Sequence, residues 1–324
     1  MNRNEKFDFY KGILMFGVIW GHTITNLLCG SQNNIDIHWI MRTYDMPLFM
    51  VISGYFMSFT LSRKSLYQAI KDKVTMILLP TLIWGLIITY GKSVGPLYFL
   101  WAIFYSSLIM AILCKVVKSN VLRSIICVII VISLNFAPFT WSNMSYLFPF
   151  FALGYFYNEL DVRIPKMGGV LPFLFIILLC FWDSSYNIWT TGTYFKELNI
   201  SSISIVLFRY MIGIVGCYTF IVTASFFYDG FSKKRNWLFD FFCKSGKETL
   251  AIYILQDIIL FKFLKHATSF MAAKIGYNPF LLNESFMGYV IAPVFALLVM
   301  YLSYKTAVKL KSWKLTKYAF GGKF

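Results

Sequence analysis

The sequence predicts an all-α, polytopic membrane protein of about ten transmembrane helices, with both termini cytoplasmic. Three observations lead there. Of 324 residues, 58% are hydrophobic and 14% charged, whereas a soluble domain carries about 25% charged residues; the mean hydropathy is +0.65. Apolar runs of about 20 residues, the length that crosses a bilayer, recur along the whole chain. Lysine and arginine are unevenly shared between alternate connecting segments, which sets orientation.

The ten stretches follow in order. The first, 7–28, is apolar yet holds Asp8, Lys11 and His22, and the second, 38–61, holds Arg42 and Asp45. Stretches 74–91, 97–116 and 122–139 are predominantly apolar; 144–158 is short; 169–187 follows it. The eighth, 202–228, contains Arg209, and the ninth, 247–264, is polar for a span because of Gln256 and Asp257. The tenth is 285–308. A short sixth and a polar ninth leave nine as the alternative count. With the N-terminus inside, 22 of the 30 lysines and arginines fall in inner segments and five in outer ones. The remaining three, Lys11, Arg42 and Arg209, lie within spans. That asymmetry favours ten helices. It also explains the net charge of +16 as topology rather than a nucleic-acid footprint.

A single integral-membrane domain over 1–324 is expected, multi-pass in the plasma (inner) membrane. It shows no repeats, low-complexity tract, soluble appendage or cleavable signal pattern. The tail "KLKSWKLTKYAFGGKF" suits an anionic inner leaflet or a simple topology anchor. Six cysteines have neither CxxC nor ligand-like spacing, so no metal site is expected. The terminal "GGKF" lacks P-loop spacing, and no bound cofactor is expected.

The intramembrane polar groups carry the functional argument. Asp or Lys at a helix centre costs about 2.5–3.5 kcal/mol on insertion scales, and such residues are functional candidates by default. Lys11 and His22 are eleven residues apart, which returns to within about 20° of one helix face, about 16 Å along the axis. Depth counting brings His22, Arg42, Asp45 and Arg209 into the outer half of the membrane, with Gln256 and Asp257 nearer the midplane. Structural readings stand beside these. His22 could be a packing partner, Asp8–Lys11 and Arg42–Asp45 plain i,i+3 ion pairs, and Arg209 a snorkelling side chain. His38 and His266 fall near outer helix ends, where solvent would satisfy them.

These residues resemble the membrane acyltransferase family 3. "FDFYKGILMFGVIWGH" is similar to its first-helix signature, in which an Arg or Lys precedes an essential His by eleven positions, here Lys11 and His22. "YDMPLFMVISGYFM" resembles its second helix through Met46, Pro47, Leu48, Phe49, Ser53, Gly54 and Tyr55. "GPLYFLWAIF", "WSNMSYLFPFFALGYFYN" and "GKETLAIYILQD" resemble later segments in the family's order. Five positions depart from the pattern: Asp45 and Gln256 stand where the family often has His, Tyr98 where Trp is usual, and Lys71 and Lys73 replace a usually arginine-based motif.

The resemblance implies transfer of an acyl group, commonly acetyl, from cytoplasmic acyl-CoA (acetyl-CoA as donor substrate) to a carbohydrate hydroxyl at the cell surface. Arg63, Lys64, Lys71 and Lys73 would hold the CoA phosphates, Lys11 would flank the acyl path, and Gln256 and Asp257 would contact substrate. His22 would act as general base, oriented by Asp45 as in a catalytic triad, with Arg209 or Arg42 stabilising the oxyanion. Direct attack and a transient acyl-His both fit. The expected partners are acyl-CoA, a carbohydrate acceptor and the lipid bilayer, with no nucleic acid and homo-oligomerisation left open. Two other classes remain: a saccharide or lipid-linked sugar exporter, and a non-catalytic member of a polysaccharide assembly machine. No repeat symmetry of the kind common in transporters is visible.

Overall fold

The computed structural model describes residues 5–27, 36–93, 97–135, 139–159, 169–183, 186, 200–275 and 284–321, and no strand occurs among them. The helices are α1 (Glu5–Leu27), α2 (Asp36–Arg63), α3 (Leu66–Lys73), α4 (Leu79–Ile88), α5 (Tyr98–Val116), α6 (Asn120–Asn135), α7 (Phe139–Glu159) and α8 (Val170–Leu179). They continue as α9 (Ile200–Lys233), α10 (Trp237–Lys247), α11 (Thr249–Asp257), α12 (Lys265–Ile275), α13 (Glu284–Phe286), α14 (Ala292–Lys311) and α15 (Lys314–Ala319). Short π-helical segments at Val74–Leu78, Ile258–Leu264 and Met287–Ile291 join α3 to α4, α11 to α12 and α13 to α14.

The predicted stretches overlap these helices or joined runs, but α8 ends at Leu179 within the predicted 169–187, the stretch 247–264 straddles the break between α10 and α11, and residues 28, 136–138, 184–185 and 187 of the predicted stretches lie outside the described residues. Three, Tyr98–Val116, Ile200–Lys233 and Glu284–Lys311, are long and apolar enough to cross a membrane, while the apolar Asn120–Leu134 and Val170–Leu179 are shorter. Ionisable residues dilute two of the others: α1 carries Glu5, Lys6, Asp8 and Lys11, and α2 carries Asp36, Arg42, Asp45 and Arg63. The protein is thus all-α among its described residues, with membrane-type apolar helices.

The chain divides into two compact units, the first formed by 1–45 and 220–322 and the second by 46–219. In the first, α1 and α10 approach until backbone meets backbone. A Cβ on Gly12 would stand 2.1 Å from the Phe242 carbonyl oxygen, and one on Gly246 would stand 1.6 Å from that of Asp8. Only hydrogen fits at both positions, which is how small residues let helices touch in a bilayer. Around this seam Phe9, Tyr10, Ala224, Phe239 and Cys243 form an apolar cluster, and Ile24, Leu27 and Ala292 form another nearer the far end of α1. Arg235 ties Glu5 at 2.8 Å and Asp240 at 2.9 Å.

In the second unit α2 and α7 meet in the same way. A Cβ on Gly54 would stand 1.9 Å from the Phe151 carbonyl oxygen, and one on Gly154 would stand 1.9 Å from that of Val51. Asn158 donates to Ser58 at 2.7 Å one turn further along. Pro149 inside α7 has no N–H for the Ser145 carbonyl four residues back. The Tyr210 hydroxyl donates to that carbonyl at 2.8 Å, so α9 repairs the helix that proline interrupts. Arg123 closes the C-terminal end of α5 by donating to the Val117 and Cys114 carbonyls at 2.6 and 3.3 Å.

Candidate active site

The candidate site of the first unit is built on α1 and the opening turns of α2. Gly21 precedes His22, and a Cβ there would lie 3.6 Å from His38 Nδ1 and 3.8 Å from Arg42 Nη2. These are ordinary van der Waals distances, so α2 side chains lie directly along this stretch of α1. Arg42 Nη2 reaches His22 Nδ1 at 3.2 Å, and Arg42 Nη1 donates to Asp45 Oδ2 at 3.3 Å. A guanidinium has donors and no acceptor, so Nδ1 accepts and the hydrogen of the neutral ring sits on Nε2. Asp45 is 2% exposed, and Arg42 bridges it to His22. On the far side the His22 ring meets Phe261 edge-on, with centroids 5.2 Å apart and planes at 72°. Phe261 stands in the π segment Ile258–Leu264, and such wide turns often mark functional positions in helices.

This changes one expected relationship. Asp45 was expected as the carboxylate orienting His22; its carboxylate pairs with Arg42, whose guanidinium lies against the imidazole. The cause is register: on α2 an i,i+3 pair is satisfied within the helix, and the longer arginine reaches across to α1. A second expectation is corrected. His38, which sequence placed near solvent, is 4% exposed, and its Nδ1 has no hydrogen-bond partner among the described residues. It sits one turn before Arg42 against the Gly21 position, so packing covers it. His266 is exposed, as expected.

The other expected site residues are distributed as follows. Lys11 pairs with the buried Asp8 at 2.9 Å, on the same helix as His22. Gln256 is fully buried, donates from Nε2 to the Tyr253 carbonyl at 3.1 Å, and leaves Oε1 without a partner among the described residues. Asp257 is half-buried immediately before the π segment that carries Phe261.

Four basic candidates and Arg209 belong to the second unit. Arg63 ends α2 over the Phe59 ring, Lys64 pairs with Asp72, and Ser65 begins α3 with a capping box to Gln68. Lys71 is exposed. Lys73 lines a slot with Met57, Ile70, Phe104, Ser107 and Leu108, and desolvation there lowers its ammonium pKa to about 8 against the pull of Asp72. Arg209 is 1% exposed and lies over the Tyr146 ring, 4.5 Å from its centroid. The described residues hold no cluster of His, Cys, Asp or Glu able to bind a metal ion.

Phe261 and His38 are the site residues that sequence reasoning missed. No motif flags Phe261, since its position depends on a widened helical turn. His38 had a signal in its one-turn spacing from Arg42.

An imidazole held by a guanidinium can exchange protons and steady a developing negative charge, the chemistry of acyl transfer. The profile of an acyltransferase domain matches residues 4–305. Nodulation protein NolL of Mesorhizobium japonicum is 31% identical over 210 residues, 55% of this chain and 54% of the relative. Nodulation protein NolL of Sinorhizobium fredii is 30% identical over 187 residues, 49% of this chain and 50% of the relative. The aligned parts thus span about half the length of each relative. No solved structure matches the chain. With its family profile matched over nearly the whole length, the chain belongs to acyltransferase family 3.

Proposed function

We propose that this chain is a multi-pass O-acyltransferase of the plasma (inner) membrane, moving an acyl group, acetyl by preference, from cytoplasmic acetyl-CoA to a carbohydrate hydroxyl. Ten spans with both termini cytoplasmic put the Arg63–Lys73 segment on the donor side. There its cations attract the CoA phosphates, with Lys as point charges rather than arginine forks. The observation that carries the reading is the Asp45–Arg42–His22 chain, with its contacts of 3.3 and 3.2 Å. An acceptor hydroxyl is a weak nucleophile near neutrality and needs a base, for which imidazole is suited.

His22 Nδ1 takes the hydroxyl proton as the acceptor oxygen attacks the thioester carbonyl, displacing the Arg42 donor from that lone pair. The released guanidinium, still held by Asp45, turns its Nη2 to the oxyanion. Collapse of the tetrahedral intermediate expels the CoA thiolate, which takes up the proton from His22. Lys11, held by Asp8, lines the inner part of the same helix.

The test is acyl transfer in membranes supplied with radiolabelled acetyl-CoA, comparing native protein with His22→Ala. Label in alkali-labile carbohydrate that needs His22 is the expected result. Equal labelling by the variant would remove His22 as the base, and no labelling with any acceptor would remove the transferase reading.

A further inference from the structure

The second unit buries a guanidinium for which its described residues provide no anion. Arg209 is 1% exposed, and its Nε and Nη1 have no hydrogen-bond partner among the described residues. Its Cζ stands 4.5 Å from the Tyr146 ring centroid and 5.5 Å from that of Trp182. Trp182 Nε1 is also buried without a partner among the described residues, as is Asn143 Oδ1, one turn before Tyr146 on α7. Tyr210 stacks at a tilt on Tyr146, with centroids 5.5 Å apart.

Ring faces recover only part of what a guanidinium loses on leaving water, and buried charges are ordinarily paired. A purely structural arginine would have its donors committed. Here the uncommitted groups are of matched kinds. Nε and Nη1 lie on either side of Nη2, so a carboxylate approaching either edge of the planar fork meets a free donor. The indole N–H is another donor, and Asn143 Oδ1 is an acceptor for a hydroxyl. Aromatic walls suit the C–H face of a sugar ring. A single guanidinium and no lysine among these groups favour a singly charged carboxylate over a phosphate dianion.

We propose that Arg209, Trp182 and Asn143, with the Tyr146 ring, form a subsite for the carboxylate-bearing unit of an acidic saccharide. This names the chemical class of the acceptor and rests on the transferase reading above.

The experiment uses the full chain purified in detergent, with calorimetric titration and thermal melting against glucuronate, glucose and inorganic phosphate. Glucuronate is expected to bind and raise the melting temperature, with glucose and phosphate inactive at the same concentration. Trp182→Phe keeps the ring and removes the indole donor; it should weaken glucuronate binding about tenfold, the worth of one hydrogen bond to a charged group. Arg209→Lys should abolish it, and if that variant does not fold, Trp182→Phe decides alone. No glucuronate binding, binding unchanged in Trp182→Phe, or equal binding of phosphate would each overturn the proposal. Glucuronate binding without transfer from acetyl-CoA would support the subsite and count against the transferase. Transfer to neutral saccharides without glucuronate binding would do the reverse.

Discussion

Replacing Arg42 by lysine separates charge from geometry at the candidate site. The native guanidinium makes two contacts from two nitrogens, Nη2 to His22 at 3.2 Å and Nη1 to Asp45 at 3.3 Å. Lysine keeps the charge but has one nitrogen, which cannot span both partners. In the transition state the fork holds Asp45 and the oxyanion together, so a single lysine nitrogen forfeits one of the two, about 1.5–3 kcal/mol for a hydrogen bond to a charged group, or roughly ten- to a hundredfold in rate. Arg42→Met loses both contacts and the oxyanion donor, for about a 10²–10³-fold fall in kcat. It also leaves Asp45 buried without this partner. Breaking a fully buried pair costs about 3–5 kcal/mol, but the Arg42 side chain is 24% exposed, so solvent screens the loss to about half of that. The assay is the initial rate of acetyl transfer in membranes at saturating acetyl-CoA, normalised to folded protein. An Arg42→Lys variant within twofold of native rate would refute the claim that the fork matters.

Two further outcomes concern the helix seams. Gly246→Ala should lower the melting temperature in detergent strongly, because the new methyl would meet the Asp8 backbone at 1.6 Å, whereas Gly230→Ala has nothing within 4 Å and should leave it unchanged; equal melting of the two would discard the close α1–α10 packing. Tyr210→Phe should cost about 1–2 kcal/mol, since it orphans the Ser145 carbonyl that Pro149 cannot serve. Hydrogen exchange would locate that loss in α7, and unchanged protection there would show that another group satisfies the carbonyl.

Much of the site was legible because it is local. Asp8 with Lys11 and Arg42 with Asp45 are i,i+3 neighbours, and a helix makes such pairs whatever surrounds it; both pairs form. The second-helix glycine Gly54 and the later Gly154 lie in the family-like segments 44–57 and 141–158. What the motifs did not say is that each glycine faces the backbone of the other's helix. His38 was misjudged because its place near the start of a helix suggests water, while its burial is decided by what packs over it.

The sequence by itself determined the helices, their order and their apolar character, because hydropathy and the 3.6-residue period act within each segment. It also determined which short-range ion pairs form. Only the tertiary structure decided that Arg42 rather than Asp45 meets His22, that a π turn brings Phe261 to the imidazole, and that Arg209 lies against aromatic rings with donors unspent. Those contacts depend on which helix faces meet and at what register, and that is fixed by close packing at positions such as Gly12, Gly246, Gly54 and Gly154. No single segment carries that information, because the steric fit belongs to pairs of helices far apart in the chain.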